Sequence, residues 1–340
     1  MSCPPITDWN LDSHRQLQLP HPDHPEDGYT DMDLDLRTQR SLQPALVGHT
    51  GSVLAVQFDA TDDNDVIITG ATHGNVIIWR FSTGEAVKTI TGAHHESVLC
   101  LNFDKRYLVT GGRDKKIKLW NRYPRDVDST DVPNFAVRPA QHGVYQEYSL
   151  LATFDGHRAA VNTLNLRDDI VVTGSGDWTM CIWSLQTGER LHEVNIHQRG
   201  IACLQYNGRF IVSGSSDNTA RIYDVNRQAE VACLTGHTNL IRSVQAVYDN
   251  REEVETIISG SYDGSIRFWK QVPGSGEWRT QHQVDCSSFR APENEQPDDG
   301  ADGPGNRIFS VALDANRFVC SGQRPVIRVW DLNSPSTNSV

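Results

Sequence analysis

No stretch of 18 apolar residues occurs anywhere in the 340 residues, so no membrane-spanning helix is expected. No Asn-x-Ser/Thr acceptor with a permissible middle residue is present, and the first residues lack the pattern of a secretory signal. The seven cysteines, Cys3, Cys100, Cys181, Cys203, Cys233, Cys286 and Cys320, include no Cys-x-x-Cys pair. Several of them fall inside strand-like patterns, where cysteine serves as a small hydrophobe. A reduced, intracellular setting (cytoplasm and/or nucleus) is the expectation. Positive charge is also scarce, with 31 Lys and Arg against 43 Asp and Glu and a formal net charge of −12. That excludes binding to nucleic acid through a general positive field. The acidity is confined to two stretches: residues 8–35 have a balance of −7 and residues 293–302 one of −5. Both read as solvated segments. Partners are therefore expected to be proteins or peptides, with neither nucleic acid nor membrane among them.

Catalytic signatures are missing as well. There is no nucleophile elbow, P-loop, dinucleotide fingerprint or His-Glu-x-x-His motif. His21, His24 and the His94-His95 pair lack a third ligand at a useful spacing, so no metal and no cofactor is expected. The reading is a non-enzyme.

What the sequence does contain is a repeat. Gly156–Ser184 opens on Gly156-His157 and continues with Val161–Leu166, which alternates with the period of two of a half-buried strand. A polar turn follows, then the apolar run Ile170–Gly174, a Ser-Gly-Asp turn, and Met180–Trp183. His49, His94, His157, His197 and His237 each start such a unit, and Trp79, Trp120, Trp183, Tyr223 and Trp269 each end one. A sixth tract without Gly-His runs from Ile308 to Leu332 and ends on Trp330-Asp331. Six residues before the terminal aromatic stand Asp114, Asp177, Asp217 and Asp263, with His73 at that place in the first tract and Arg324 in the last. Aspartates at equivalent places in a repeat are turn residues, since a carboxylate in a tight turn accepts backbone N–H groups. The first and last units, lacking that Asp, are expected to be the least rigid.

A period of 40–45 residues with Gly-His at the start and Trp-Asp at the end resembles the WD-repeat (WD40) family over residues 34–332. The resemblance implies an all-β propeller with six recognisable four-stranded blades, in a family with seven, so that one blade is missing. It also implies that each turn Asp bonds the Gly-His imidazole, and that Thr110, Thr173, Ser213 and Ser259 link that imidazole to the terminal ring. Leu19–Glu26, Leu46–Val53, Gly214–Thr219 and Gly236–Arg242 resemble, more narrowly, F-box/WD-repeat proteins of the fungal beta-transducin-repeat-containing branch. Those are substrate receptors of SCF ubiquitin ligases, whose propeller binds a degron that is phosphorylated in many members. Two departures stand out. No helical F-box is legible in residues 1–33, which puts adaptor binding in doubt, and the first blade is missing before residue 34. A general WD scaffold in signalling or RNA processing, or a truncated non-functional paralogue, is the alternative.

The expected organisation is an irregular, Pro-rich segment at 1–33, a propeller at 34–334 with insertions at 122–149 and 271–306, and a tail at 335–340. The last tract lacks a fourth strand, which Gln39–Val47 is expected to supply, closing the blades as a ring. By resemblance, residues flanking the first apolar position of each opening strand and those before each turn Asp point to the binding face. They are Ser52, Ser97, Asn162, Arg242, Arg307 and Phe309, with Arg113, Ser216 and Tyr262. Arg158 and Arg199 lie in the loops between units. Arginine forks among hydroxyl and amide donors suit a carboxylate or phosphate on a peptide. Arg113 and Arg242 are singled out together.

Overall fold

The computed structural model describes residues 46–59, 65–126, 129, 132–138, 143–249, 251–286, 307–313, 317–323 and 326–331, with the backbone of 14–18, 34–35 and 40–41. Among these, six four-stranded antiparallel sheets form the blades of an all-β propeller fold. Their strands are called A to D in the order in which they pair. The chain divides into two compact units, Pro22–Ile201 and Met1–His21 with Ala202–Val340.

In the Pro22–Ile201 unit the first blade is Val53–Asp59, Val66–Ala71, Val76–Arg80 and Ala86–Ile90. The second is Val98–Phe103, Tyr107–Gly112, Ile117–Asn121 and Leu150–Phe154. The third is Val161–Arg167, Ile170–Ser175, Met180–Ser184 and Arg190–Val194. Strand B is buried along nearly its whole length in each of these blades. This is why it reads as an unbroken apolar run rather than an alternation. The B strands of the first and second blades also carry a glycine, Gly70 and Gly111, where the next blade comes close. A Cβ on Gly111 would stand 2.8 Å from Val161 Cγ1, so only a residue without a side chain admits the neighbour.

The described part of the insertion at 122–149 is packed against the blades. Arg125–Asp126 pairs with Val144–Tyr145, and Val132, Ala136 and Tyr145 are buried with the cores of the second and third blades. Arg122 is itself buried, stacked on Phe103 at 4.6 Å, and donates to the Asp104 carbonyl. Burying a guanidinium requires such partners for its donors.

In the other unit the fourth blade is Ile201–Tyr206, Phe210–Ser215, Ala220–Asp224 and Ala229–Leu234. The fifth is Ile241–Tyr248, Val254–Ser261, Ser265–Gln271 and Trp278–Asp285. Its D strand occupies the start of the stretch read as the 271–306 insertion. The sixth is Ile308–Leu313, Arg317–Gly322 and Val326–Asp331, completed by His14–Gln18.

That last strand corrects the expectation for Gln39–Val47. His14–Gln18 pairs antiparallel with Val326–Asp331, His14 opposite Trp330 and Gln18 opposite Val326. In the stretch expected to do this, Arg40–Ser41 pairs instead with Leu34–Asp35. Two features favour His14–Gln18: it offers an unbroken run of N–H donors, whereas Pro44 interrupts the other stretch, and Arg40–Ser41 is already paired with Leu34–Asp35. His21, His24, Arg324 and the proposed tail lie outside the described residues.

Candidate functional site

The repeat's polar network is built alike in three blades. In the third, Trp183 Nε1 donates to Thr173 Oγ1 at 3.0 Å, Thr173 lies 2.8 Å from His157 Nε2, and His157 Nδ1 lies 3.0 Å from Asp177. Asp177 also accepts from the Arg158 and Thr179 backbone N–H groups. His94, Asp114, Thr110 and Trp120 repeat this in the second blade, and His237, Asp263, Ser259 and Trp269 in the fifth. His197 and Ser213 are buried in the fourth, where Tyr223 replaces the tryptophan and Asp217 accepts from the Thr219 N–H. Trp330 is buried in the sixth. These residues are scaffold, and they fix the loops that carry the candidate site.

Burial alone would raise the carboxyls of Asp114, Asp177 and Asp263. Hydrogen bonds from the histidines and backbone more than offset it, and hold all three below the usual carboxylate range. The imidazoles diverge: burial lowers His94 despite Asp114, whereas at His157 the hydrogen bonds of Asp177 and Cys181 outweigh burial and raise it to about 9. A depressed carboxyl contributes stability that is complete above its unfolded value near ~3.9 and is lost as pH falls through the folded one. Stability measured by chemical denaturation is therefore expected to fall steeply as pH drops below about 4. Asp177→Asn should flatten the drop; an unchanged acid limb in that variant would show that the carboxylate is not its source.

The first blade departs from this pattern. Thr69 still accepts from Trp79 at 2.8 Å and lies 2.7 Å from His49 Nε2. His73 stands in the Asp place, and both His49 Nδ1 and His73 Nδ1 are buried without a partner among the described residues.

Two backbone features aim side chains out of this scaffold. The A–B ladder skips one residue in five blades, passing over Leu54, Leu99, Asn162, Arg242 and Phe309. A bulge of this kind re-aims the side chain it leaves unpaired. The residue after the turn Asp adopts positive φ, +70° at Lys115, +78° at Trp178 and +69° at Asn218. Tryptophan is costly there, yet the Trp178 side chain is 52% exposed. Nothing in the spacing of the repeat marks it, because the left-handed position is a property of the turn's backbone.

In the unit containing Ala202–Val340, the Arg307 guanidinium lies 5.3 Å from the centre of the Tyr262 ring. Tyr262 meets Phe309 edge-on at 5.7 Å, and Phe309 remains 42% exposed. The turn holding Tyr262 is tied to the preceding loop by its N–H to Leu240 O at 2.9 Å and by Ser261 Oγ to Asn239 O at 3.0 Å. Arg242 follows in that strand, half-buried, with Nη1 donating to Ala202 O at 3.3 Å. Ser216 is half-buried beside Asp217. Arg307, Tyr262 and Phe309 are thus brought together.

In the Pro22–Ile201 unit several candidates are already engaged. Asn162 Nδ2 donates to Ile201 O at 2.8 Å and Ser97 Oγ to Thr72 O at 3.1 Å. Ser52 accepts the Thr72 N–H at its carbonyl, and Arg158 is exposed. Arg113 is exposed with Nε 3.5 Å from Glu96, a surface pair worth ~1 kcal/mol at most. Arg113 and Arg242 belong to different units. Among the described residues no group of three His, Cys, Asp or Glu could hold a metal, and no helix is long and apolar enough to cross a membrane.

Sequence comparison gives relatives of varied description. The chain is 26% identical over 288 residues to a ribosome biogenesis protein WDR12 homolog of Drosophila virilis, covering 81% of this chain and 61% of that protein. It is 25% identical to autophagy-related protein 16 of Arabidopsis thaliana, over 69% of this chain and 42% of that one. It therefore spans less than two thirds of the length of either relative. Among solved structures, that of U3-55K superposes with a TM-score of 0.66 at 23% identity, over 84% of this chain and 79% of that one. That likeness shows the fold alone. The WD domain, G-beta repeat family matches residues 40–80, 84–121, 148–184, 188–224 and 228–270, the tracts that end on Trp79, Trp120, Trp183, Tyr223 and Trp269. With its repeats matched over more than half its length and its sheets folded as blades, this chain belongs to the WD domain, G-beta repeat family.

Proposed function

We propose that the chain is a non-catalytic protein-interaction scaffold that binds a short peptide segment carrying a carboxylate or phosphate at Arg307, Tyr262, Phe309 and Arg242. One observation carries this reading: a half-exposed phenylalanine at a bulge, edge-on to a tyrosine that an arginine covers. Aromatic and arginine side chains so placed are the anchors that dominate peptide and protein recognition, and the guanidinium supplies a bidentate fork for an oxyanion. The relatives, described by ribosome biogenesis, autophagy, mitochondrial division and pre-mRNA processing, support scaffolding in general rather than one pathway. The narrower reading, a substrate receptor of the F-box/WD type, is the case in which the peptide is a phosphorylated degron.

The test is fluorescence polarisation of the full chain against an array of acidic peptides, each with and without phosphoserine. At least one peptide is expected to bind, with affinity falling tenfold or more in Arg242→Glu/Arg307→Glu and in Tyr262→Ala. Preference for the phosphorylated form by tenfold or more would favour the degron reading, and equal binding would remove it. An array with no binder, or binders indifferent to these variants, would overturn the proposal. Arg113→Glu, measured alongside, reports whether the other unit contributes.

A further inference from the structure

The sixth blade ends on Trp330 but has no Gly-His before it. Two markers still locate the places that other blades fill with histidine and with threonine or serine. The first is the spacing to the terminal ring. Thr69, Thr110, Thr173, Ser213 and Ser259 each stand ten residues before the ring that ends their tract, and Cys320 stands ten before Trp330. The second is a backbone bond to the turn of the preceding blade. His94 donates its N–H to Gly74 O at 3.0 Å, and Cys286 donates its own to Gly264 O at 2.9 Å. Gly74 and Gly264 are equivalent, each following the turn position, with φ of +79° and +83°. Cys286 thus takes the backbone place of His94, and Cys320 that of Thr110.

The side chains agree. In the second blade His94 Nε2 lies 2.8 Å from Thr110 Oγ1, and in the sixth the Cys286 and Cys320 thiols are hydrogen-bonded to each other. Both are free thiols, 0% and 3% exposed, in one core with Val311, Phe318 and Trp330. All of them lie in the unit containing Ala202–Val340. Other strand cysteines are engaged differently. Cys100 donates to the Gly111 and Val161 carbonyls and Cys203 to that of Ile241. A thiol pair at the His–Thr place has one capacity that His and Thr lack: its two sulfurs can be joined covalently.

We infer that Cys286 and Cys320 are a reversible oxidation site, two buried thiols that a peroxide converts into a disulfide tying the sixth blade to the end of the fifth. The hydrogen bond from Cys320, with the Arg328 charge, holds the Cys286 thiol below its usual value, whereas the same bond and burial push Cys320 up. Arg328 stands opposite Cys320 on the neighbouring strand. Cys286 is therefore the nucleophile, since the thiolate is the reactive form. Its sulfur attacks a peroxide oxygen: the S–O bond forms, the O–O bond breaks, and the hydroxide released takes a proton and leaves as water. The Cys320 sulfur then attacks the sulfenic acid. The S–S bond forms, the S–O bond breaks, and the Cys320 proton leaves with the hydroxide as a second water. Two thiols lose two electrons, and one peroxide is reduced to two waters. A dithiol reductant reverses the bond by exchange. Burial keeps larger oxidants away, so the oxidant is a small peroxide.

The test treats the full chain with hydrogen peroxide, alkylates it without reduction, and maps its peptides by mass spectrometry. A peptide linked through Cys286 and Cys320 is expected, and dithiothreitol should remove it. The thermal midpoint should rise by about 5–10 °C on oxidation, because the bridge constrains the unfolded chain between the two residues, and return on reduction. Cys320→Ser places there the residue that the fourth and fifth blades use, Ser213 and Ser259, so it should fold. In that variant peroxide should leave a sulfenic acid on Cys286, trapped by dimedone, and no rise in midpoint. Survival of both thiols after the exposed Cys233 has been oxidised would overturn the inference. So would a link from either cysteine to another partner, or a midpoint that rises equally in Cys320→Ser.

Discussion

Thr173→Val is expected to lower the unfolding free energy by about 2–5 kcal/mol, a large part of the total available to a folded chain. The substitution keeps the shape of the side chain and removes only its hydroxyl. Thr173 is fully buried, and its oxygen serves Trp183 Nε1 at 3.0 Å and His157 Nε2 at 2.8 Å at once. With valine, the indole N–H and the imidazole nitrogen both stay buried, and among the described residues neither has another hydrogen-bond partner. An unpaired buried polar group costs about 1–3 kcal/mol, and two are created together. The bulk of the effect is thus desolvation without compensation rather than the loss of a favourable bond. Thr173→Ser discriminates between the hydroxyl and the methyl group. Serine stands at this place in the fourth and fifth blades, as Ser213 and Ser259, and Ser259 holds both its bonds at 2.8 Å. Thr173→Ser should cost under about 1.5 kcal/mol, the range of losing one buried methyl group. The exposed Thr187→Val should be neutral within about 0.5 kcal/mol. Denaturant midpoints of the three variants check this. A Thr173→Val midpoint equal to that of Thr173→Ser would show that the network contributes nothing beyond packing.

That network was legible in the sequence because two independent spacings intersect on it. The Gly-His start and the terminal aromatic set the period, and counting six residues back from the aromatic finds Asp114, Asp177 and Asp263, each bonded to its histidine in the structure. Strands B and C were legible for the same reason: a run buried on both faces has no polar interruptions to confuse it. The partner of the sixth blade was not. A D strand is an edge strand, needing hydrogen bonds on one side only, and its composition is nearly unconstrained. His14–Gln18 and Gln39–Val47 therefore differ visibly only in Pro44, and nearness in the repeat favoured the wrong one. The candidate site was legible as positions and not as contacts. Arg307, Tyr262 and Phe309 come from two blades, and that their rings meet depends on the packing of one blade on the next. The engagement of Asn162 with Ile201 O likewise depends on the neighbouring strand. The strained, exposed Trp178 is legible only in the backbone of its turn.

His73→Asp is expected to stabilise the chain by about 1–3 kcal/mol, the reverse of most substitutions. The first blade retains everything else the network needs: Thr69 between His49 and Trp79, a His49–Trp79 ring separation of 6.3 Å against 6.4 Å and 6.1 Å in the third and fifth blades, and Gly74 at φ +79° after the turn position. What it lacks is an acceptor. Among the described residues His49 Nδ1 and His73 Nδ1 are both buried and unpaired, with the two rings edge to face at 5.3 Å. Burial first, then the neighbouring His73, lowers the pKa of His49, against the Thr69 hydrogen bond. Aspartate would remove one orphan nitrogen and pair the other. It would also accept from the backbone N–H groups of Thr50 and Asn75, as Asp177 does from Arg158 and Thr179 in the third blade. Two readouts separate this from a generic gain. The thermal midpoint should rise by a few degrees, at roughly 2–4 °C per kcal/mol in a large domain. The His49 imidazole, followed by NMR, should titrate at higher pH than in the native chain, because a carboxylate favours its charged form. A higher midpoint with an unmoved His49 would assign the gain to relief of the histidine pair alone, and a lower midpoint would mean that the first blade is built around His73.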